Sequence, residues 1–499
     1  MKKISLLVLL AAFSLPGTSQ VFKKLEVKSV QLRDAGSIIQ NGIVKGYYSF
    51  YNLEKKDRKN NNYQLTVTDE NLREVNSVNI VRPNSYLLVD AVFNGSAFGF
   101  LFFDYKEKSL ELISYDNMLK EGGKATRELS NKFASMPYQY IAQGHEPMQA
   151  FLLAVPNKGF LFYGIKEDSK SDYQIEFFNN AMKRVWVANA PKDDFDFETA
   201  GEAFQDEQFV GSLIIKRTGL FDLNPDFDLL VQNVNDGTPL FRIPMTTAKY
   251  KMALAELSFD QAKQQFLLFG EYFEKKDNVI KDESQGFITL VLDMKGKITS
   301  EKINSWIDIS ARVEAKDKKQ FEKTSVLFHD FIRTSDGEFF AVGEQYKKGG
   351  LPMAVKLNVY NMVIFQFDAN FAIKKVHIFE KDKNSVQMPP GMLIASSKLL
   401  SYIAKSYGGF DYLFTQLSPG NDTFTINYIN YDREKGQKGK NQLGSIVYTP
   451  EKTFAVDKLD LNRKSVKYFV YRAKQGFVMI SEYFEKEKTI ESRLEKINF

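Results

Sequence analysis

Three glutamates hold the same place in the chain. Glu271, Glu344 and Glu482 each follow a short apolar run, in FLLFGE, FFAVGE and FVMISE. A carboxylate at the end of such a run must find a partner, since burying it alone is costly. Two roles fit: a tie between neighbouring elements, or part of an acidic arc that binds a cation or a basic ligand. These three are the candidate ligand-binding residues. A second set, Asp222, Asn224, Asp226 and Asp228 in FDLNPDFDLL, has the alternating spacing of a calcium loop. Phe227 stands where that loop needs Gly, and Asn233 where it needs Glu. The match is partial, an Asp/Asn-rich turn entering a strand is the simpler reading, and no metal is expected.

Other chemistries are poorly served. Cysteine is absent, which removes disulfides, thiolate metal sites and a Cys nucleophile. Only His145, His329 and His377 are present. His145 precedes Glu146 and His329 precedes Asp330, but neighbours on a strand point to opposite faces, so neither pair makes a ready dyad. The string GSAFG from Gly95 has the wrong spacing for a nucleophile elbow. Neither HExxH, a phosphate-binding GxxxxGK[ST] nor a dinucleotide fingerprint occurs. No catalytic residue and no cofactor follow from these patterns. A pair of acids cleaving glycosides leaves no linear signature, however. Two function classes therefore stand: a non-catalytic binding or scaffold protein, which is favoured, and a secreted carbohydrate-active hydrolase or lyase.

What would position such residues is legible in a repeat. The windows QFLLFGEYFEKK from Gln265, EFFAVGEQYKKG from Glu338 and GFVMISEYFEKE from Gly476 align without gaps. Fainter copies begin at Gly46, Gly99, Gly159, Gly211 and Lys398. The mean step is about 61 residues, the scale of a propeller blade. Apolar strands separated by Gly, Asn, Asp or Pro turns flank most copies, giving four antiparallel strands per repeat. Several runs are apolar at every position, as strands buried on both faces must be. The expected fold is all-β: a β-propeller of eight four-stranded antiparallel blades, or seven if the Lys398 or Gly211 copy is not a blade. After the last copy one strand remains, ESRLEKINF, and at the other end VFKKLEVKSVQL from Val21 has no partner. The N-terminal strand is therefore expected to close the ring, with Leu25, Val27 and Val30 in the same blade as Phe477 and Leu494. Two separate β-sandwiches are the competing architecture, but no Pro/Gly/Ser-rich linker divides the chain.

Among its 499 residues 43% are hydrophobic and 14% aromatic, enough for a large core. The formal charge of +5 is too balanced for a nucleic-acid footprint. The basic runs KKDRKNNN from Lys55 and REKGQKGKNQ from Arg433 lack interleaved aromatics and read as solvated loops, as does the acidic DDFDFETAGE from Asp193. ARVEAKDKKQFEKT from Ala311 suggests a short helix between blades. Lys2 and Lys3 precede an apolar run, Ile4 to Leu15, followed by Gly17 and Ser19. That is a secretory signal over residues 1–19, too short for the about 20 residues of a membrane span. Residues 20–499 are expected to form a single propeller domain, exported to the periplasm or the medium. A monomer is expected, with an unidentified peptide, glycan or envelope component as partner, no nucleic acid and no membrane span. In its signal segment, its Lys, Asn, Phe and Tyr bias and its Gly-Glu strand motif, the chain resembles uncharacterised secreted propeller-like families of Bacteroidota. That resemblance implies a fold and carries no catalytic residue.

Overall fold

The computed structural model describes residues 21–498, except 41, 54–58, 130–131, 143–149, 167–168, 170–171, 192–196, 220–221, 352–353, 390, 433–439, 450, 462–463 and 466. The segment expected to be a secretory signal, His145, Glu146, the first four residues of KKDRKNNN and the first seven of REKGQKGKNQ lie outside these residues, as do the first four of DDFDFETAGE.

Eight antiparallel sheets follow one another along the chain, and each is a blade. Blade 5 shows the plan. Its strands run Tyr250–Asp260, Gln265–Glu274, Gly286–Leu292 and Ile298–Ser305, in that spatial order. Except between blades 3 and 4, where the first strand of blade 4 meets the second and third strands of blade 3, the first strands of successive blades neighbour one another and line the centre of the ring. In chain order these inner strands are Ala35–Gln40, Tyr86–Phe93, Leu152–Val155, Phe197–Gln205, Tyr250–Asp260, Ser325–Arg333, Tyr412–Leu417 and Lys467–Arg472. Among the described residues four α-helices interrupt the plan: α1 (Lys132–Ala142) between blades 2 and 3, α2 (Trp306–Ser310) and α3 (Ala315–Phe321) between blades 5 and 6, and α4 (Ser397–Ser406) before blade 7. The segment from Ala311 thus carries the expected short helix. Among the described residues no helix is long and apolar enough to cross a membrane.

Both faces of the second strands are buried because alternate residues enter two different cores. In blade 2, Phe98, Phe100 and Phe102 pack with Phe50 and Leu65 of blade 1. Ala97, Leu101 and Phe103 of the same strand pack with Phe160 and Phe162 of blade 3. The Phe50 and Phe100 rings stack at 4.2 Å. Gly99 is required here, since a Cβ would lie 2.6 Å from the Phe160 ring. In blade 5, Phe266 and Leu268 face blade 4, while Leu267 and Phe269 face blade 6. Such a strand contributes to two interfaces at once, so no blade can shed a neighbour without exposing a full apolar face.

The ring closes through its first strand. Val21–Lys24 pairs antiparallel with Thr489–Lys496, with Phe22 opposite Ser492, and becomes the outer strand of blade 8. Val27 and Val30 are buried in a core shared by blades 8 and 1 that holds Tyr471, Met479 and Leu494, with Phe477 packed against it. The expectation is corrected for Leu25 and Val27. Leu25 is exposed, because the chain turns there after the closing strand. Val27–Ser29 pairs with the second strand of blade 1, so Val27 belongs to that sheet and meets blade 8 only through the shared core.

One repeat copy is also corrected. The Lys398 segment is not a strand but α4. Leu400, Ile403 and Ala404 recur at helical spacing, and Ser396 caps the helix by accepting the Leu399 N–H at 3.1 Å. The second strand of blade 7 is Phe424–Asp432 instead, so the count of eight stands on a different segment. The Gly211 copy is a true second strand, Phe209–Arg217.

Deleting residues 20–30 should lower the melting temperature of the whole ring, read by far-UV circular dichroism. It removes a strand and two buried valines, each worth about 1.5–3 kcal/mol. An unchanged melting curve would contradict closure.

Candidate functional site

The three motif glutamates are brought to equivalent places and given different partners. Glu344, on the second strand of blade 6, is fully buried. Its Oε2 accepts the backbone N–H groups of Asp411 and Tyr412, both at 2.9 Å, where blade 7 begins. His329 Nε2 lies 3.1 Å from the same oxygen, and Lys381 Nζ lies 3.3 Å from Oε1. Lys381 also pairs with Asp411, and Asn384 donates to Asp411 at 2.9 Å. Burial works against ionisation of Glu344, but the close approach of His329 and the charge of Lys381 hold it below the usual range. Burial and the charge of Glu344 push Asp411 up. Burial pushes His329 down, and its ring stacks on Tyr412 at 4.9 Å. His329, the bulged residue of the adjacent strand, thus lies against Glu344 and does not form a pair with the adjacent Asp330.

Glu271 sits between an inserted helix and its own blade. Lys398 of α4 reaches its Oε2 at 2.5 Å, and Ser284 donates to Oε1 at 2.6 Å. Lys398 is itself buried, with its ammonium 4.7 Å from the Phe273 ring centroid. Glu482 pairs with Arg493 of its own blade. Asp90 of blade 2, which the sequence did not mark, repeats the Glu344 device: it accepts the N–H groups of Phe151 and Leu152 at the start of blade 3, at 2.9 and 3.2 Å.

The calcium-like residues are not gathered. Asp222 caps a turn, accepting the Asn224 N–H at 2.8 Å and the Thr218 N–H at 3.1 Å. Those backbone bonds hold its carboxyl below the usual range. Asn224 lies in that turn and Asp226 opens the strand Asp226–Asn233. Asp228 is held by Lys216 at 2.9 Å and Arg242 at 2.8 Å. Two cations on one carboxylate leave it little to offer a metal. Among the described residues no group of three His, Asp or Glu is placed to hold one. His377 is hydrogen-bonded to Gln366 at 3.1 Å, and burial pushes it down to about 4.

Two places offer room or reactivity. A cavity of about 650 Å³ opens between blades 5 and 6, beside α2 and α3. Trp306 and Tyr346 line it together with Glu271, Glu283 and Glu322. Each acid is already fixed, for Ser325 donates to Glu283 at 3.2 Å and Ser310 to Glu322 at 2.8 Å. The Trp306 indole N–H donates to Ser284 at 3.1 Å, which ties the ring to the Glu271 pair. The second place is the ring centre, where Glu256 projects from the inner strand of blade 5. Burial, with the charges of Asp330 and Glu202, pushes it up to about 8, against the opposing charge of Lys405 from α4. A carboxylic acid kept protonated near neutrality is a potential proton donor.

A family model described as a family of unknown function, DUF6770, matches residues 1–498. The chain belongs to that family. No curated protein matches this DUF6770 member. Among solved structures it is similar to a quinohaemoprotein alcohol dehydrogenase from Pseudomonas putida HK5, at 9% identity and TM-score 0.43, covering 96% of this chain and 76% of the other. It is similar to a post-proline cleaving enzyme from Rickettsia typhi at 10% identity and TM-score 0.40, covering 91% of this chain and 58% of the other. A third likeness is to the β-propeller domain of the trilobed protease from Pyrococcus furiosus, at 10% identity and TM-score 0.33, covering 73% and 99%. Likenesses this distant carry nothing about the chemistry of a DUF6770 chain.

Glu344→Gln should cost about 3 kcal/mol or more, because it takes the charged acceptor from two N–H groups and leaves the buried Lys381 with one carboxylate of its two. Chemical denaturation measures this; a loss under about 1 kcal/mol would contradict the pairing described.

Proposed function

We propose that this family member is an exported, non-catalytic binding propeller that holds a peptide or glycan of the cell envelope between blades 5 and 6. The cavity that pairs Trp306 with three immobilised carboxylates carries the reading. An aromatic face supplies apolar contact, and fixed acceptors supply orientation, the usual division of labour in a ligand site. Carboxylates already engaged by serines and a buried lysine are suited to holding hydroxyl or amino groups rather than to exchanging protons. Export rests on the basic and apolar leader of residues 1–19.

One observation favours a second reading. Glu256, protonated near neutrality and electrostatically linked to Asp330 and Glu202, has the attributes of a general acid for glycoside cleavage. On that reading oligosaccharides are hydrolysed in the ring centre, and Glu256→Gln abolishes reducing-end release.

Only Trp186 and Trp306 fluoresce as tryptophans, and Trp186 is buried against the Val234 carbonyl at 2.7 Å. A Trp186→Phe protein therefore reports the cavity alone. Titrating it with neutral oligosaccharides and lysine-rich peptides should give a saturable change in Trp306 emission for one class. Glu283→Gln should weaken that response about threefold or more, as loss of a hydrogen bond to a charged group does. A panel that leaves the emission unchanged, or a response indifferent to Glu283→Gln, would overturn the proposal.

A further inference from the structure

A second cavity, of about 760 Å³, opens on the other side of the ring between the outer strands of blades 2 and 3. Its charge is opposite in character. Arg127, from the outer strand of blade 2, and Lys166 and Arg184, from blade 3, line it against Glu128 and Glu176. Arg127 is the informative member, for its side chain is only 7% exposed. Its Nη2 donates to the Ile165 carbonyl at 2.6 Å and its guanidinium lies 5.2 Å from the Phe162 ring centroid. Its Nε and Nη1 donate no hydrogen bond to any described residue. Nη1 lies 3.3 Å from Glu176 Oε1 without hydrogen-bond geometry, and Arg184 Nη1 reaches the same oxygen at 3.4 Å. One carboxylate oxygen is thus shared by two guanidinium groups, which leaves positive charge over.

The repeat explains how this arose. Gly164 and Ile165 stand where other blades carry Gly270–Glu271 and Gly343–Glu344. With Ile165 in the acid's place, Arg127 meets a backbone carbonyl there in place of a carboxylate, and Glu176 only at 3.3 Å. A Cβ on Gly164 would lie 3.1 Å from Arg127 Nη1, so the glycine makes the room that the guanidinium fills. Leaving buried donors of a charged group unsatisfied is costly, and an incoming acceptor recovers that cost.

We infer that this cavity binds an oxyanion, the carboxylate, sulfate or phosphate group of an acidic ligand, through Arg127 and Arg184. Guanidinium groups match such oxygens in charge and in donor geometry. Glu176 limits the affinity by competing for the same donors.

Isothermal titration calorimetry at constant ionic strength, with inorganic phosphate, inorganic sulfate and glucuronate, tests this. At least one should bind saturably at one site, and which one binds identifies the source of the oxyanion. Arg127→Gln should weaken binding about tenfold or more. Arg184 is 59% exposed, so Arg184→Gln keeps the fold and should weaken binding about threefold. Glu176→Gln should strengthen it. Failure of all three anions to bind, or binding unmoved by Arg184→Gln and Glu176→Gln, would overturn the inference.

Discussion

The structure depends on strands that bury both faces. In a one-sided sheet, alternate residues meet solvent and the sheet tolerates an edge. Here Phe100 and Leu101, adjacent in sequence, belong to different inter-blade cores, and so do Phe266 and Leu267. A sheet of this kind is stable only between two neighbours, each of which has the same need. The requirement passes from blade to blade and ends only when the last meets the first. Closure is therefore a consequence of composition, and the core that joins blades 8 and 1, with Val27 and Val30 against Tyr471 and Leu494, is where it is met.

Apolar contact alone does not fix the angle between blades. That work falls to buried carboxylates at the junctions. Asp90 and Glu344 each accept two consecutive N–H groups from the first residues of the following blade, which pins the entry of its inner strand. Around Glu344, burial would raise the cost of charge, and His329, Lys381 and the Tyr412 N–H offset it. Where the motif acid is missing, as at Ile165, the same scaffold leaves a guanidinium with donors to spare. Variation at one repeat position thus converts a structural tie into a place that attracts a ligand.

The fold was largely legible and the sites were not, for a physical reason. A second strand buried on both faces is a contiguous apolar run, which is visible in sequence, and seven of the eight copies mark such strands. Blade 7 escaped because its second strand, FTINYINYD, buries Asn427 and Asn430 in hydrogen bonds to Ser445 and Asp382. Buried polar residues break the apolar run that betrays a strand, while KLLSYIAKSY of α4 imitates one. The glutamates were found because they repeat, but Lys381, Lys398 and Asp411 lie in connections whose spatial placement has no linear pattern. Glu256 is one acid among many until the ring brings Asp330 and Glu202 towards it.

Closure by the N-terminal strand is the central claim, and a chain without cysteine allows it to be tested directly. Phe22 and Ser492 are register partners across the seam. Cα atoms of antiparallel partners lie about 4.5–5.5 Å apart, within the span a disulfide bridges. Oxidising the Phe22→Cys/Ser492→Cys double variant should give an intramolecular disulfide in the monomer, seen by mass spectrometry of the peptides after digestion. Free thiols in the oxidised, folded protein, or disulfides formed only between chains, would show that the first strand does not close this ring.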